Sequence, residues 1–284
     1  MNSRPFGYQP NALTKLSHRP IQFIFVVVLH YKFYIVASFI LILLILLMAI
    51  VSVKIYIFSC LLGFWVSSMY SLRDERWKLK GTTTVAIKCL DGVIMATDTR
   101  ATMLPGFVAH KKVKKVYKVT RNIGMTIAGV PAEALNLLDL LRANASIYQI
   151  HRKREIPVKA VASLASNLLF SQRFYPYAVQ IIIGGYDSEG YHLYSLDPFG
   201  SAIEDDLIAT GSGSPVAYGV LESEYSEGIK LNDGLRLVAR AIQSAIKRDV
   251  YTGDSFDIAT VTREKGYVEL TKEEKESLLT EKAS

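Results

Sequence analysis

Cysteine is nearly missing from this 284-residue chain, which carries only Cys60 and Cys89. Two thiols cannot build a disulfide framework or a zinc site of four thiolates. Cys89 reads as a small packed hydrophobe beside a turn. Histidine is also scarce: beyond residue 81 only His110, His151 and His192 occur, far apart, with no His-Glu-x-x-His pair. No metal centre and no cofactor are expected. Gly211-Ser212-Gly213-Ser214-Pro215 lacks a following Gly-Lys-Ser/Thr, which leaves a P-loop unsupported. Nor is it Gly-x-Ser-x-Gly, so the serine nucleophile elbow is missing too. Apolar residues at 50% and charged residues at 21% exclude a collagen, a disordered chain and a coiled coil.

The net charge of +7 is unevenly spread. Residues 1–81 hold nine Lys/Arg and two Asp/Glu; with 33 and 26 in the whole chain, 24 of each remain for residues 82–284. The second segment is neutral, so no nucleic-acid partner is expected. The first is dominated by Phe33–Val53, 21 residues without a charge, followed by the uncharged run Ile55–Leu72. A helix of that first length covers the hydrocarbon core of a bilayer. At Met69 the composition turns abruptly from oily to charged. Two readings of residues 1–68 therefore stand: a transmembrane segment, or a translated upstream region preceding a true start at Met69. The expected division is 1–68 as a hydrophobic extension, 69–81 as a propeptide and 82–284 as the globular domain.

From Thr82 onward the pattern alternates between strands and helices. Thr82–Lys88 and Val93–Thr97 read as a hairpin turning at Asp91-Gly92, and Lys115–Val119 with Ile123–Ala128 as a second. Helices are expected at about 132–150, with Leu135, Leu138, Leu141 and Ile147 on one stripe, and at about 157–174. Strands follow at 179–183 and 191–194, a loop at 211–214, helices at 215–224 and 233–248, and closing strands near 256–262 and 267–270. The tail from Thr271 is charged. Helices come in pairs between groups of strands, so a doubly wound parallel sheet does not fit. The expected fold is α+β, a four-layer αββα sandwich of two antiparallel sheets.

One boundary carries chemistry. A threonine hydroxyl is a weak nucleophile unless a base adjoins it. A cut between Gly81 and Thr82 would create an α-amine of pKa about 7.7–8.0 on the same residue. Glycine before the cut suits a strained turn and close approach of the hydroxyl to the preceding carbonyl.

The run Gly81-Thr82-Thr83-Thr84-Val85-Ala86-Ile87 is followed by Thr97-Asp98-x-Arg100-Ala101-Thr102 and Lys114-Lys115-Val116-Tyr117. Thr126-Ile127-Ala128-Gly129, Gly211-Ser212-Gly213-Ser214 and Arg248-Asp249 come later, in that order. Together these segments closely resemble the β subunits of archaeal 20S proteasomes, N-terminal-nucleophile hydrolases of αββα fold. The resemblance covers essentially all of 82–284 and does not extend into 1–68. It implies Thr82 as nucleophile with its freed amine as proton acceptor, and Lys115 beside the hydroxyl, paired with Asp98. Lys115, rather than Lys114, matches the family's second lysine, one residue late because of an insertion at Leu104-Pro105-Gly106. The resemblance further implies Gly129 as the oxyanion-hole N–H, with Ser212, Asp249 and Thr252 supporting the amine. Ala101, Val113 and Ile127 would line a pocket for the residue before the scissile bond, giving a preference for cleavage after apolar residues.

Two positions depart from the family: Thr252 replaces a serine, and Asp254 replaces the second of two glycines. The expected partners are other β subunits in seven-membered rings, outer rings of α subunits, a regulatory ATPase and unfolded protein substrates. The expected location is the cytoplasm, with no membrane contact after processing. Three other readings remain: a non-catalytic structural β subunit that stays uncut, a relative of the bacterial simple-ring threonine protease, and a membrane-anchored protein with a related soluble domain.

Overall fold

The computed structural model describes residues 19–78, 81–103 and 106–280. The chain divides into two units between Ser71 and Leu72. Helix α1 (Arg19–Lys78) is a single α-helix. Its segment Ile35–Phe64 is long and apolar enough to cross a membrane, and its residues are exposed.

The second unit contains every remaining element. One five-stranded antiparallel sheet has the order β10 (Leu207–Gly211), β1 (Thr83–Lys88), β2 (Val93–Asp98), β11 (Phe256–Thr262), β12 (Gly266–Glu269). The other runs β5 (Val116–Lys118), β6 (Ile123–Gly129), β7 (Val179–Tyr186), β8 (Tyr191–Leu196), β9 (Ala202–Glu204). A small hairpin, β3 (Ala101–Met103) with β4 (Phe107–His110), stands apart. Leu104 and Pro105 of the expected insertion lie outside the described residues.

Alternation along each strand assigns its two faces to different layers. Val85, Ile87, Ile94, Ala96 and Ile258 pack with α4 (Ser214–Glu224) and α5 (Leu231–Arg248). Their neighbours Ala86, Val93, Met95 and Ala259 point the other way, onto Ile182, Leu193 and Val116 of the second sheet. On that sheet's far face Ile123, Met125, Ile127, Ile181 and Ile183 meet α2 (Pro131–Arg152) and α3 (Val158–Ser171). The result is the four-layer αββα sandwich, with strands buried on both faces. A charged helix α6 (Lys272–Thr280) closes the described chain.

Several local expectations shift. The α2 stripe is Ala134, Leu137, Leu138, Leu141 and Ala145. Leu135 and Ile147 are exposed, because the buried arc of the helix is rotated toward 137 and 134. The first hairpin turns one residue earlier than Asp91-Gly92: Cys89 N–H donates to Gly92 O at 2.8 Å, which puts Leu90-Asp91 at the centre. Cys89 is indeed packed in the core, and burial pushes its thiol up to about 12.

The two sheets meet through side chains that include Met95, Ile182, Leu193 and Ile208. Ile182 is fully buried between them. Ile182→Ala is expected to cost about 2–5 kcal/mol in denaturant unfolding. A loss below about 1 kcal/mol, the range of a surface change, would contradict this packing.

Candidate active site

Strand β1 opens at Thr83, opposite Gly211 of β10, and Thr82 lies one residue before it. The reason for the Gly-Ser-Gly pattern at 211–213 is close approach. A Cβ on Gly211, whose φ is +92°, would stand 2.0 Å from the Thr82 carbonyl oxygen. One on Gly213 would stand 2.1 Å from Thr83 Oγ1. Without those side chains Ser212 reaches β1, where its Oγ accepts the Thr82 N–H at 3.4 Å.

A relay of hydroxyls continues from there. Ser212 Oγ and Thr252 Oγ1 each lie 2.5 Å from Asp249 Oδ2. A carboxylate only accepts, so both hydroxyls donate to it. Thr252 Oγ1 is then left to accept from Thr83 Oγ1 at 2.7 Å. Thr252 is fully buried, so the methyl it adds relative to serine is accommodated inside the protein.

On the other side of Thr82 stands Lys115, immediately before β5. Its Nζ donates to Thr82 Oγ1 at 3.0 Å, to Asp98 Oδ1 at 2.8 Å and to the Arg100 carbonyl at 2.5 Å. Asp98 also accepts backbone N–H groups from Thr83 (3.0 Å), Arg100 (3.1 Å) and Gly253 (3.2 Å). Burial pushes the Asp98 carboxyl up, opposed by Lys115 and by the Thr83 and Gly253 N–H groups. Burial pulls the Lys115 ammonium down, opposed by Asp98. The Lys115 shift makes its ammonium a readier proton donor, and the donors that converge on Asp98 favour its carboxylate form. Lys114 points away and pairs with Glu269 at 2.6 Å, half-exposed.

Thr82 Oγ1 lies 2.5 Å from the Gly81 carbonyl oxygen. Gly81 has no positive φ, so it serves by small size rather than by a left-handed turn. A Cβ there would sit 3.1 Å from the Cβ atoms of both Thr102 and Tyr251.

A cavity of about 250 Å³ opens beside Thr82. Ala101, Val113 and Ile127, the three expected pocket residues, line it, and so does Gly129. Gly129 has φ +125°, and a Cβ there would fall 2.0 Å from the Ala178 carbonyl oxygen, so no side chain fits. Tyr117 and Leu135 also form walls, which the sequence pattern did not reveal. The exposure of Leu135 noted above is its place at this cavity. Arg100 is the other residue without an expected role, although it stood inside a recognised motif. The structure thus brings together Thr82, Asp98, Lys115, Ser212, Asp249 and Thr252 in one network, with Gly129 on the cavity wall. Among the described residues no cluster could hold a metal ion.

The αββα sandwich sets a threonine, Thr82, immediately before an inner strand of one sheet. The family described as "Proteasome subunit" matches residues 79–261. "Proteasome subunit beta" of Ferroglobus placidus is 51% identical over 201 residues, 70% of this chain and 95% of that protein. Those of Methanothermobacter thermautotrophicus and Methanopyrus kandleri are 47% and 48% identical, covering 95% and 96% of their lengths. The chain belongs to the proteasome subunit family, as a β-type subunit of the core and a member of a family of peptidases that assembles with other proteasome subunits.

Removing one member of a buried ion pair strands the other. Lys115→Met is therefore expected to cost about 3–5 kcal/mol of stability near neutral pH. The stranded Asp98 then has a folded pKa well above its unfolded one, so it destabilises the fold only where it must ionise. The deficit should shrink as pH falls through that raised value. Denaturant unfolding at pH 7.5 and pH 5 would show it, and a deficit that is the same at both would contradict it.

Proposed function

We propose that this chain is the precursor of a threonine endopeptidase that cuts itself between Gly81 and Thr82. One observation carries the reading: Thr82 Oγ1 is held 3.0 Å from Lys115 Nζ and 2.5 Å from the carbonyl oxygen of the bond to be cut. Attack of Oγ1 on the Gly81 carbonyl carbon forms a C–O bond as the C–N bond breaks. The proton lost from Oγ1 ends on the departing nitrogen. Water then hydrolyses the ester, leaving a Gly81 carboxylate and a free Thr82 amine.

That amine becomes the base that activates the same hydroxyl. Ser212, backed by Asp249, sits where it can hold the amine in place. Lys115 favours the alkoxide, and Asp98 keeps the lysine oriented. The Gly129 N–H serves as oxyanion donor for substrates in the adjoining cavity. Cleavage of the substrate passes through an ester on Thr82 Oγ1, with the amine returning its proton to the leaving peptide nitrogen. Water completes the cycle.

The subunit acts in seven-membered β rings between rings of α subunits, fed with unfolded protein by an ATPase. Enclosure of this kind makes a broad peptidase safe in the cytoplasm, where we place it. The cut also separates the apolar helix from the enzyme, so the mature subunit has no membrane segment. The relatives support an archaeal-type β subunit over the simple-ring bacterial protease.

Peptidase assays on the assembled particle test the reading. Thr82→Ala should abolish hydrolysis, a loss of at least about 10³-fold for a missing nucleophile. Undiminished activity in that variant would sink the threonine mechanism. In a panel of short fluorogenic peptides, cleavage should be fastest after apolar residues, as Ala101, Val113 and Ile127 require. Faster cleavage after Arg or Glu would overturn that assignment.

A further inference from the structure

Asp254 occupies a position where the resembling family has glycine, beside a network that already has its acids. The structure gives this extra charge a partner. Arg100 Nε donates to Asp254 Oδ2 at 3.2 Å and Arg100 Nη2 to Asp254 Oδ1 at 3.0 Å, a two-pronged fork. Arg100 Nη1 donates in addition to the Val250 carbonyl at 2.9 Å. The guanidinium lies against Gly253, where a Cβ would come within 2.4 Å of its carbon. Glycine at 253 is what lets the arginine lie flat across the loop. A fork of this kind fixes direction as well as distance.

Both ends of this clamp belong to the site. Arg100 accepts Lys115 Nζ on its own carbonyl and donates its N–H to Asp98. The loop that Arg100 grips, 249–254, supplies Asp249 and Thr252 to the Thr82 relay and the Gly253 N–H to Asp98. Tyr251 in the same loop accepts Thr102 Oγ1 at 3.3 Å on its carbonyl. The lysine side and the amine side of the nucleophile are therefore fastened to each other by the Arg100 side chain together with the Gly253 N–H and the Thr102 hydroxyl.

We propose that Asp254 is a positioning residue: through Arg100 it holds the 249–254 loop in register with the Asp98–Lys115 pair. The inference rests on the peptidase reading above. Asp254 touches no reacting atom. Its fork raises the Arg100 guanidinium and holds its own carboxyl below the usual range, as expected of a formed ion pair. The pair is partly exposed, 22% and 31% at the two side chains, so its value lies in geometry more than in stability. Loosening the loop misplaces Asp249 and Thr252 relative to Thr82, and small misplacements are costly in rate. The cavity that receives substrate is lined without Asp254.

The test compares Asp254→Asn, Asp254→Glu and Arg100→Gln, and the Arg100→Gln/Asp254→Asn pair, in the assembled particle with an apolar fluorogenic peptide. Asp254→Asn should lower kcat about 5–10-fold while KM stays within twofold. Asp254→Glu, which keeps the carboxylate, should recover most of that loss. The double variant should be no slower than the slower single one, because both changes break one clamp. Asp254→Asn with wild-type kcat, a change confined to KM, or additive losses in the double variant would each overturn the proposal. Should Asp254→Asn fail to assemble, Arg100→Lys, which keeps the charge and loses the fork, is expected to show the same kcat loss, and wild-type kcat in it overturns the proposal. An inactive wild-type particle would refute the peptidase reading itself, which separates the two failures.

Discussion

The carboxylate of Asp98 is the point on which this site turns. Three backbone N–H groups and one ammonium converge on two oxygens: Thr83 at the head of β1, Arg100 just past β2, Gly253 in the loop before β11, and Lys115 ahead of β5. Those donors come from both sheets and from the loop that carries Asp249. A buried ion pair contributes little stability by itself, because desolvation consumes the Coulombic gain. Its use here is to fix position. Lys115 is held with its ammonium aimed at the Thr82 hydroxyl and the Gly81 carbonyl, and Thr82 is fixed by the same carboxylate through its neighbour.

The layers around the site serve this arrangement. Sheet strands buried on both faces give the backbone little freedom, and two glycines in β10 and its following turn let a serine press against β1. The fold therefore delivers a pre-positioned hydroxyl, and on the proposed reading its base is the nitrogen of the Gly81–Thr82 peptide bond. Chemistry at that bond would convert a placed but idle side chain into one with its own proton acceptor. On the proposed reading, inactivity before the cut and activity after it would follow from one covalent change.

Most of this was legible in the chain because the residues that matter are in motifs with tight steric or polar demands. Thr82, Asp98 and Lys115 lie at strand ends, where β-branched runs and glycines mark the boundaries. The αββα order followed from paired helices between strand groups. What escaped was short or doubly buried. Leu207–Gly211 lacks the period-2 alternation of a half-buried strand, since both of its faces are covered, yet it is the strand that places Ser212. Ala202–Glu204 is an exposed edge strand of three residues with no pattern to read. The partner of Asp254 was invisible for another reason: Arg100 lies 154 residues away, and only the packing of Gly253 shows why the fork closes.

The central claim is that the chain cuts itself at Gly81-Thr82 to make its catalytic base. Intact mass with N-terminal sequencing, on the subunit purified from its own cells, tests it most directly. The account predicts a chain that begins at Thr82. A chain that begins at Met1 or Met69 in assembled particles would contradict it and mark the subunit as structural and uncut.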